Sequence, residues 1–133
     1  MKYIVTGGSG FIGHNVVRQL EAQGHECYIL DSGTDYGFIP KDELLYLTRS
    51  RRDRMRANTH QIDLRDQEGV HRFFSNFAFK CDAVIHLASF PRQKVVNSNP
   101  LLGSKYMSEG LLNPLVATVI LTTAFAALRD FGR

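Results

Sequence analysis

The chain has 133 residues, of which 44% are hydrophobic and 22% are charged. This length and composition fit one globular domain with its own core and exclude a disordered segment. The formal net charge of +3 is too small to require a nucleic-acid partner. Cys27 and Cys81 lie in or beside apolar segments and form no ligand-like pair, so we expect reduced core thiols in a cytoplasmic protein.

The first elements predicted along the chain are a strand, a glycine-rich turn and a helix. The apolar run Lys2–Thr6 predicts the strand, and because it begins at once we expect no signal peptide. The helix that follows the glycines places Ile12, Val16 and Leu20 on one apolar face. Gly24 is predicted to end this helix, since glycine tolerates the left-handed conformation found just past helix ends.

A second strand is predicted from about Glu26 to Leu30, followed by a polar loop through Pro40. A helical stretch then runs from Lys41 into an arginine-rich patch. Gln61-Ile62 predicts a third, short strand. Strands and helices therefore alternate over the first half of the chain.

The second half continues this alternation. Asp66 is a suitable cap for a helix, and the side chains predicted to face inward from it are Val70, Phe73, Phe74 and Phe77. The nearly continuous apolar run Ala83–Leu87 predicts a central strand that is covered on both faces. Asn99-Pro100 predicts the start of another helix. Strands separated by helices predict parallel pairing, and hence a doubly wound α/β sheet.

The strongest local signal is the turn Gly7-Gly8-Ser9-Gly10-Phe11-Ile12-Gly13, between the first strand and the first helix. Gly7 suits a tight turn, Gly10 lets the backbone approach a pyrophosphate, and Gly13 allows the helix to pack closely against the strand. The helix N-terminus also offers free N–H groups to phosphates. The motif predicts a dinucleotide site; the alternative is a glycine-rich turn without a ligand.

Asp31 is predicted at the C-terminal end of the second strand, eighteen residues beyond Gly13. A carboxylate at this point accepts hydrogen bonds from the adenosine ribose and repels a 2′-phosphate, which favours NAD over NADP. Two alternatives stay open. In the first, Asp31 is a solvated turn residue without a ligand. In the second, the downstream arginines fold back over the ribose and change the preference for NAD.

These motifs, with Asp63-Leu64-Arg65-Asp66 and His86-Leu87-Ala88-Ser89, resemble the extended short-chain dehydrogenase/reductase family. Within it the chain is most similar to nucleotide-sugar epimerases and dehydratases of the UDP-glucose 4-epimerase type. The resemblance covers about residues 1–112 and implies the cofactor-binding half of a Rossmann-like fold. We expect residues 113–133 to form a divergent apolar segment that packs on this domain or in a dimer interface.

The resemblance also implies roles for single residues. The backbone of Phe11 and Ile12 would contact the pyrophosphate, while Asp63 and Leu64 would border the adenine, with Asp63 accepting from its amino group. The ribose on the nicotinamide side would be lined by Leu87, Ala88 and Ser89. From the residues themselves, Asp63 and this triplet each end a predicted strand, at the edge of the sheet where ligands bind. A capping or turn role for Asp63 is the alternative, and we interpret His86 as a packed or hydrogen-bonded histidine.

The catalytic pair of the family is absent from these residues. Family members act through a tyrosine followed four positions later by a lysine, and none of the five tyrosines has this partner. We therefore expect an NAD-binding domain that is catalytically incomplete and meets a nucleotide sugar only if a partner chain completes the site. The alternatives are an NAD-binding regulatory or docking module and a structural remnant with an empty cofactor site.

The segment after Asn113 is compatible with either a helix or a strand, and three threonines, Asn113 and Pro114 argue against a membrane span. Because a short chain has little surface with which to cover this apolar segment, we expect a homodimer.

One charge cluster stands out, consisting of Arg49, Arg51, Arg52, Arg54 and Arg56. A solvated helix face is the favoured interpretation, and contact with a ribose or phosphate of the cofactor is the second. Nucleic acid is not expected, because no aromatic residues interleave with these arginines. The five histidines are scattered without ligand spacing, so no metal site is predicted.

Overall fold

The computed structural model describes residues 1–77, 81–89 and 93–131 and contains a parallel four-stranded sheet of order β3-β2-β1-β4. The strands are β1 (Lys2–Thr6), β2 (Glu26–Asp31), β3 (Asn58–Gln61) and β4 (Ala83–His86). The helices are α1 (Gly13–Ala22), α2 (Lys41–Arg52), α3 (Gln67–Phe77), α4 (Gln93–Ser98) and α5 (Pro100–Phe131). The strand order and the alternation of strands with helices confirm the predicted Rossmann-like, doubly wound α/β class.

The chain divides into two compact units. The first consists of Met1–Gln61 with Cys81–Ala88 and holds the whole sheet, α1 and α2. The second consists of the described residues within Ile62–Lys80 and Ser89–Arg133 and holds α3, α4 and α5. The predicted division at residues 112–113 stays a prediction, although α5 runs continuously across it.

In the first unit, the core lies where β1 pairs with both of its neighbours. Val5 is in register with Ile29 of β2 and with Ile85 of β4. Val5, Ile29, Val17 and Cys27 form one buried cluster. Both cysteines are free, as predicted, and burial raises the pKa of the Cys27 thiol to about 11, with the Glu21 carboxylate contributing. Cys27 therefore behaves as a small apolar core residue.

The buried face of α1 differs from the predicted one. Ile12 precedes the helix and is 66% exposed, and Val16 and Leu20 are only partly buried. The buried positions are Gly13, His14, Val17 and Glu21. The hydrophobic pattern failed because three residues of this face are not apolar side chains. Gly13 is needed for close packing, His14 hydrogen-bonds the Gly10 carbonyl through Nδ1 at 2.9 Å, and Glu21 is needed for its carboxylate.

Glu21 joins the end of α1 to the chain that leads into β3. Its carboxylate accepts hydrogen bonds from the amides of Arg56, at 2.9 and 3.0 Å, and Ala57, at 2.6 Å. Arg56 returns a hydrogen bond from Nη2 to the Glu21 carbonyl at 2.6 Å. A buried carboxylate is tolerated here because backbone amides satisfy it.

The predicted end of α1 is confirmed. Gly24 has φ +83°, its N–H donates to the Glu21 carbonyl, and the N–H of His25 donates to the Leu20 carbonyl. These two bonds form a Schellman motif, which satisfies carbonyls that the last turn leaves free.

Two strands depart from their predicted places. β3 ends at Gln61, so the predicted strand residue Ile62 lies outside it. Asp63, which was predicted to end this strand, comes after its last residue in the sequence. β4 lies at one end of the sheet formed by the described residues, and its four residues are only half-buried. The apolar run Ala83–Leu87 correctly indicated a parallel strand, but composition does not distinguish a central strand from an outer one.

In the second unit, both predicted helix starts are confirmed. Asp66 Oδ1 accepts from the Gly69 amide at 3.1 Å, and Asn99 Oδ1 accepts from the Leu102 amide at 3.1 Å. The predicted inward residues of α3 that are found buried are Val70, Phe73 and Phe74. The side chain of Phe77 lies outside the described residues.

The open question of helix or strand after Asn113 is decided in favour of helix. Pro114 lies inside α5, so Asn113-Pro114 does not start a new helix. The Asn113 side chain donates to the Leu64 carbonyl at 2.8 Å, which holds α5 within its unit. Among the described residues, no helix combines the length and the apolar character needed to cross a bilayer.

We predict that Glu21→Ala lowers the free energy of unfolding by about 2–3 kcal/mol, because it leaves buried amides without an acceptor. Urea denaturation followed by circular dichroism measures this change. Glu43→Ala, at an exposed position of α2, is the matched control and should shift stability by less than about 0.5 kcal/mol. Equal midpoints for the two variants would contradict this role of Glu21.

Candidate functional site

The glycine turn connects β1 to α1 and contacts the end of β4. Gly7 has φ +68°, which favours glycine, and its N–H donates to the Leu30 carbonyl at 2.8 Å. Its own carbonyl accepts from the Gly10 amide at 3.0 Å. A Cβ at Gly7 would lie 2.8 Å from the Ala88 nitrogen, so a side chain here would displace the segment after β4.

Gly13 allows α1 to begin directly against this turn. A Cβ at Gly13 would lie 2.1 Å from the Gly7 carbonyl oxygen and 2.7 Å from the Gly8 Cα. The predicted need for close packing is thus correct, but the closest neighbour of Gly13 is the backbone of the turn and not the strand itself.

Gly10 has more room on its exposed side. Apart from its chain neighbours, a Cβ there would meet one atom within 4 Å, the Gly7 carbonyl oxygen at 3.1 Å. In the described part of the chain, the amides of Phe11, Ile12 and Gly13 have no hydrogen-bond acceptor. Three free donors at the start of a helix, beside a position without a side chain, form a cradle for an anion.

Asp31 lies at the end of β2, as predicted, and contacts the glycine turn. Its Oδ2 accepts from the Ser9 amide at 3.1 Å, and its Oδ1 accepts from the Gly33 amide at 2.9 Å. Sequence reasoning did not predict these bonds. An ionised carboxylate has about four acceptor positions, so each oxygen keeps capacity for a ribose hydroxyl.

One arginine of the charge cluster reaches the same turn. Arg51 Nη1 donates to the Ser9 carbonyl at 3.3 Å, and both residues are half-buried. Arg49, Arg52 and Arg54 are exposed, which fits the solvated face predicted for the cluster. Arg51 departs from that interpretation, because it lies beside the turn.

Thr6 organises the end of β4, and sequence reasoning missed it. Its buried hydroxyl accepts from the amides of Leu87, at 3.2 Å, and Ala88, at 3.3 Å. It also contacts His86 Nδ1 at 2.8 Å, and burial lowers the pKa of His86. The prediction that His86 is a hydrogen-bonded strand residue is confirmed. The available signal was a hydroxyl residue that ends an apolar strand immediately before the glycines.

The remaining predicted site residues belong to the second unit. Asp63 Oδ1 accepts two hydrogen bonds from Arg65, one from its side-chain Nε at 3.0 Å and one from its backbone amide at 2.9 Å. These hydrogen bonds hold the pKa of Asp63 below its ordinary value, and the Arg65 guanidinium also lies 3.9 Å from the centre of the Tyr106 ring. Leu64 is buried and Ser89 is exposed.

The structure therefore brings together the predicted residues of the first unit at one edge of the sheet, namely Gly7, Gly10, Phe11, Ile12, Gly13, Asp31, Leu87 and Ala88. Asp63, Leu64 and Ser89 are placed only within their own unit. No group of three His, Cys, Asp or Glu side chains suited to a metal ion is found among the described residues.

A parallel sheet of this order, with a glycine turn between β1 and α1, defines the class of Rossmann-like dinucleotide-binding domains. The chain belongs to the NAD dependent epimerase/dehydratase family, whose model matches residues 3–108. This membership confirms the resemblance inferred from the motifs.

Individual relatives are UDP-glucose 4-epimerases. UDP-glucose 4-epimerase 2 of Arabidopsis thaliana is 32% identical over 123 residues, which is 92% of this chain and 32% of the relative. The UDP-glucose 4-epimerase of Thermus thermophilus, solved in complex with NAD, is 34% identical with a TM-score of 0.66. The alignment covers 88% of this chain and 33% of that one.

A second structure, the UDP-glucose-4-epimerase of Stenotrophomonas maltophila, has bound NAD and formylated UDP-arabinopyranose. It is 26% identical with a TM-score of 0.66, over 88% of this chain and 33% of that one. The chain thus spans about a third of the length of the proteins it matches.

We predict that Gly13→Ala destabilises the protein by at least about 1–3 kcal/mol, because its Cβ would overlap the Gly7 carbonyl. The midpoint of urea denaturation measures this loss. Gly10→Ala adds the same atom three residues earlier, where only a 3.1 Å contact must relax, and it should retain most of the stability. Equal stability of the two variants would show that α1 does not need to begin against the turn.

Proposed function

We propose that this chain is an NAD-binding domain and that it holds the cofactor diphosphate on the first turn of α1. The observation that carries the proposal is the set of free amides at Phe11, Ile12 and Gly13, beside a Gly10 that has no side chain. A diphosphate is stabilised there by direct hydrogen bonds and by the positive end of the helix dipole.

Asp31 is the proposed partner of the adenosine ribose. It ends β2 beside the turn, and its carboxylate keeps acceptor capacity for hydroxyl groups. Leu87 and Ala88 are the proposed lining on the nicotinamide side, where Thr6 fixes their amides. The roles of Asp63, Leu64 and Ser89 stay predictions.

When bound, NAD supplies an acceptor and donor of hydride. The family is NAD dependent, and the Thermus thermophilus and Stenotrophomonas maltophila structures contain NAD. None of the tyrosines in these 133 residues is followed four positions later by a lysine. We therefore propose that turnover of a nucleotide sugar requires a tyrosine and a lysine that this sequence does not supply.

We predict that wild-type protein binds NAD and ADP in isothermal titration calorimetry, and that affinity falls in the order wild type, Gly10→Ala, Gly10→Val. The larger side chain keeps the diphosphate away from the amides. The affinity of the valine variant for NAD should therefore be at least about tenfold lower, which corresponds to about 1.4 kcal/mol of binding free energy.

Ala22→Val is the matched control, since it adds methyl groups at the exposed far end of the same helix. It should bind NAD as the wild type does. The proposal would be overturned if the wild type did not bind NAD, or if Gly10→Val bound NAD as tightly as the wild type does. The alternative of an empty glycine turn would then remain.

We also propose that the chain forms a homodimer through one face of α5, which we call the outer face of α5. This face is defined by exposed apolar residues spread over four turns: Leu101, Met107, Leu111, Leu112, Leu115 and Val116. Small residues occupy the buried side of the same helix, including Gly103, Gly110 and Ala117. A second copy is the proposed occupant, because an apolar helix face can pair with itself about a twofold axis.

We predict that the wild type sediments as a dimer at micromolar concentration and that Leu111→Lys with Leu115→Lys shifts it to monomer. Two lysines would have to be desolvated in the interface, which opposes association. Leu45→Lys, at a leucine of α2 that is also exposed, should leave the dimer intact. A monomeric wild type in sedimentation velocity would refute the homodimer.

A further inference from the structure

The turn residue Ser9 is held between two side chains of opposite charge. Its N–H donates to Asp31 Oδ2 at 3.1 Å, and its carbonyl accepts from Arg51 Nη1 at 3.3 Å. The carboxylate at the proposed ribose position and the guanidinium of Arg51 thus contact the same residue of the turn. A site with Asp31 alone would strongly reject a 2′-phosphate, whereas an arginine near the ribose accommodates one.

Arg51 has unused capacity for an anion. A guanidinium carries five N–H donors, and in the described part of the chain Arg51 uses one contact, to the Ser9 carbonyl. No carboxylate forms an ion pair with it among the same residues. Its half-buried position reduces screening by solvent.

The carboxylate of Asp31 in contrast already accepts two hydrogen bonds from the backbone. Both of its oxygens accept a backbone amide, from Ser9 and from Gly33. The positive ends of two amide dipoles therefore lie against this carboxylate, and they partly offset its repulsion of a second anion.

We propose that Arg51 is a specificity-determining residue, which lets this site accept the 2′-phosphate of NADP as well as the unmodified ribose of NAD. The inference rests on the proposed function, because it concerns the same dinucleotide site. NAD remains the tighter ligand, but Arg51 reduces the difference in affinity between NAD and NADP that Asp31 alone would cause.

The experiment is a titration of wild type, Arg51→Gln and Arg52→Gln with NAD and with NADP. Arg52 is the matched control, since it is the exposed neighbour on the same helix and its replacement removes the same charge. For the wild type we expect NADP to bind within about tenfold of NAD. Arg51→Gln should weaken the binding of NADP at least tenfold more than the binding of NAD. Arg52→Gln should change the ratio of the two dissociation constants by less than about twofold.

A second readout separates contact with the phosphate from support of the turn. The 2′-phosphate of bound NADP, followed by ³¹P NMR, should ionise at a lower pH in the wild type than in Arg51→Gln, because an adjacent cation favours the dianion. A merely structural role of Arg51 would leave this ionisation unchanged.

The outcomes distinguish this inference from the proposed function. Wild-type protein that binds NAD but discriminates against NADP by a thousandfold or more overturns the inference, and so does an equal loss of both ligands in Arg51→Gln. Wild-type protein that binds neither ligand overturns the proposed function, and the inference falls with it.

Discussion

The contact between the first residue of α1 and the backbone of the glycine turn is the constraint on which the site depends. Gly13 lies so close to Gly7 that no side chain fits between them. Because the helix begins there, the amides that have no acceptor among the described residues, those of Phe11, Ile12 and Gly13, lie together at its start. Gly7 in turn lies against the segment after β4, so a side chain at this position would displace Leu87 and Ala88 as well.

Around this contact, several polar groups of the first unit are already paired with one another. Asp31 and Arg51 hold the two sides of Ser9, and Thr6 holds the amides after β4. A site built in this way loses little conformational freedom when a ligand enters, which preserves binding energy that ordering would otherwise consume. The amides of Phe11, Ile12 and Gly13, which have no acceptor among the described residues, are the groups that a diphosphate would satisfy.

The parts that could be predicted from sequence are those with a local cause. The glycine turn, the placement of Asp31 and the caps at Asp66 and Asn99 each follow from the steric or hydrogen-bonding needs of a few adjacent residues. Family membership followed from several such motifs in order.

The parts that could not be predicted depend on partners distant in sequence. Glu21 is buried because its carboxylate meets amides 35 residues later, and no periodicity reveals this. Arg51 was one of five similar arginines until the fold brought it to Ser9, 42 positions away. The outer position of β4 also depends on tertiary pairing, which composition does not encode.

The pairing of Thr6 with His86 has a consequence for how the protein is made. The two residues are 80 positions apart, so the threonine hydroxyl has emerged from the ribosome long before its partners exist. At ordinary rates of translation this interval is roughly 4 to 16 s. During it, the nascent strand and its glycine turn are without Leu87 and Ala88, the residues that lie against Gly7 in the folded protein.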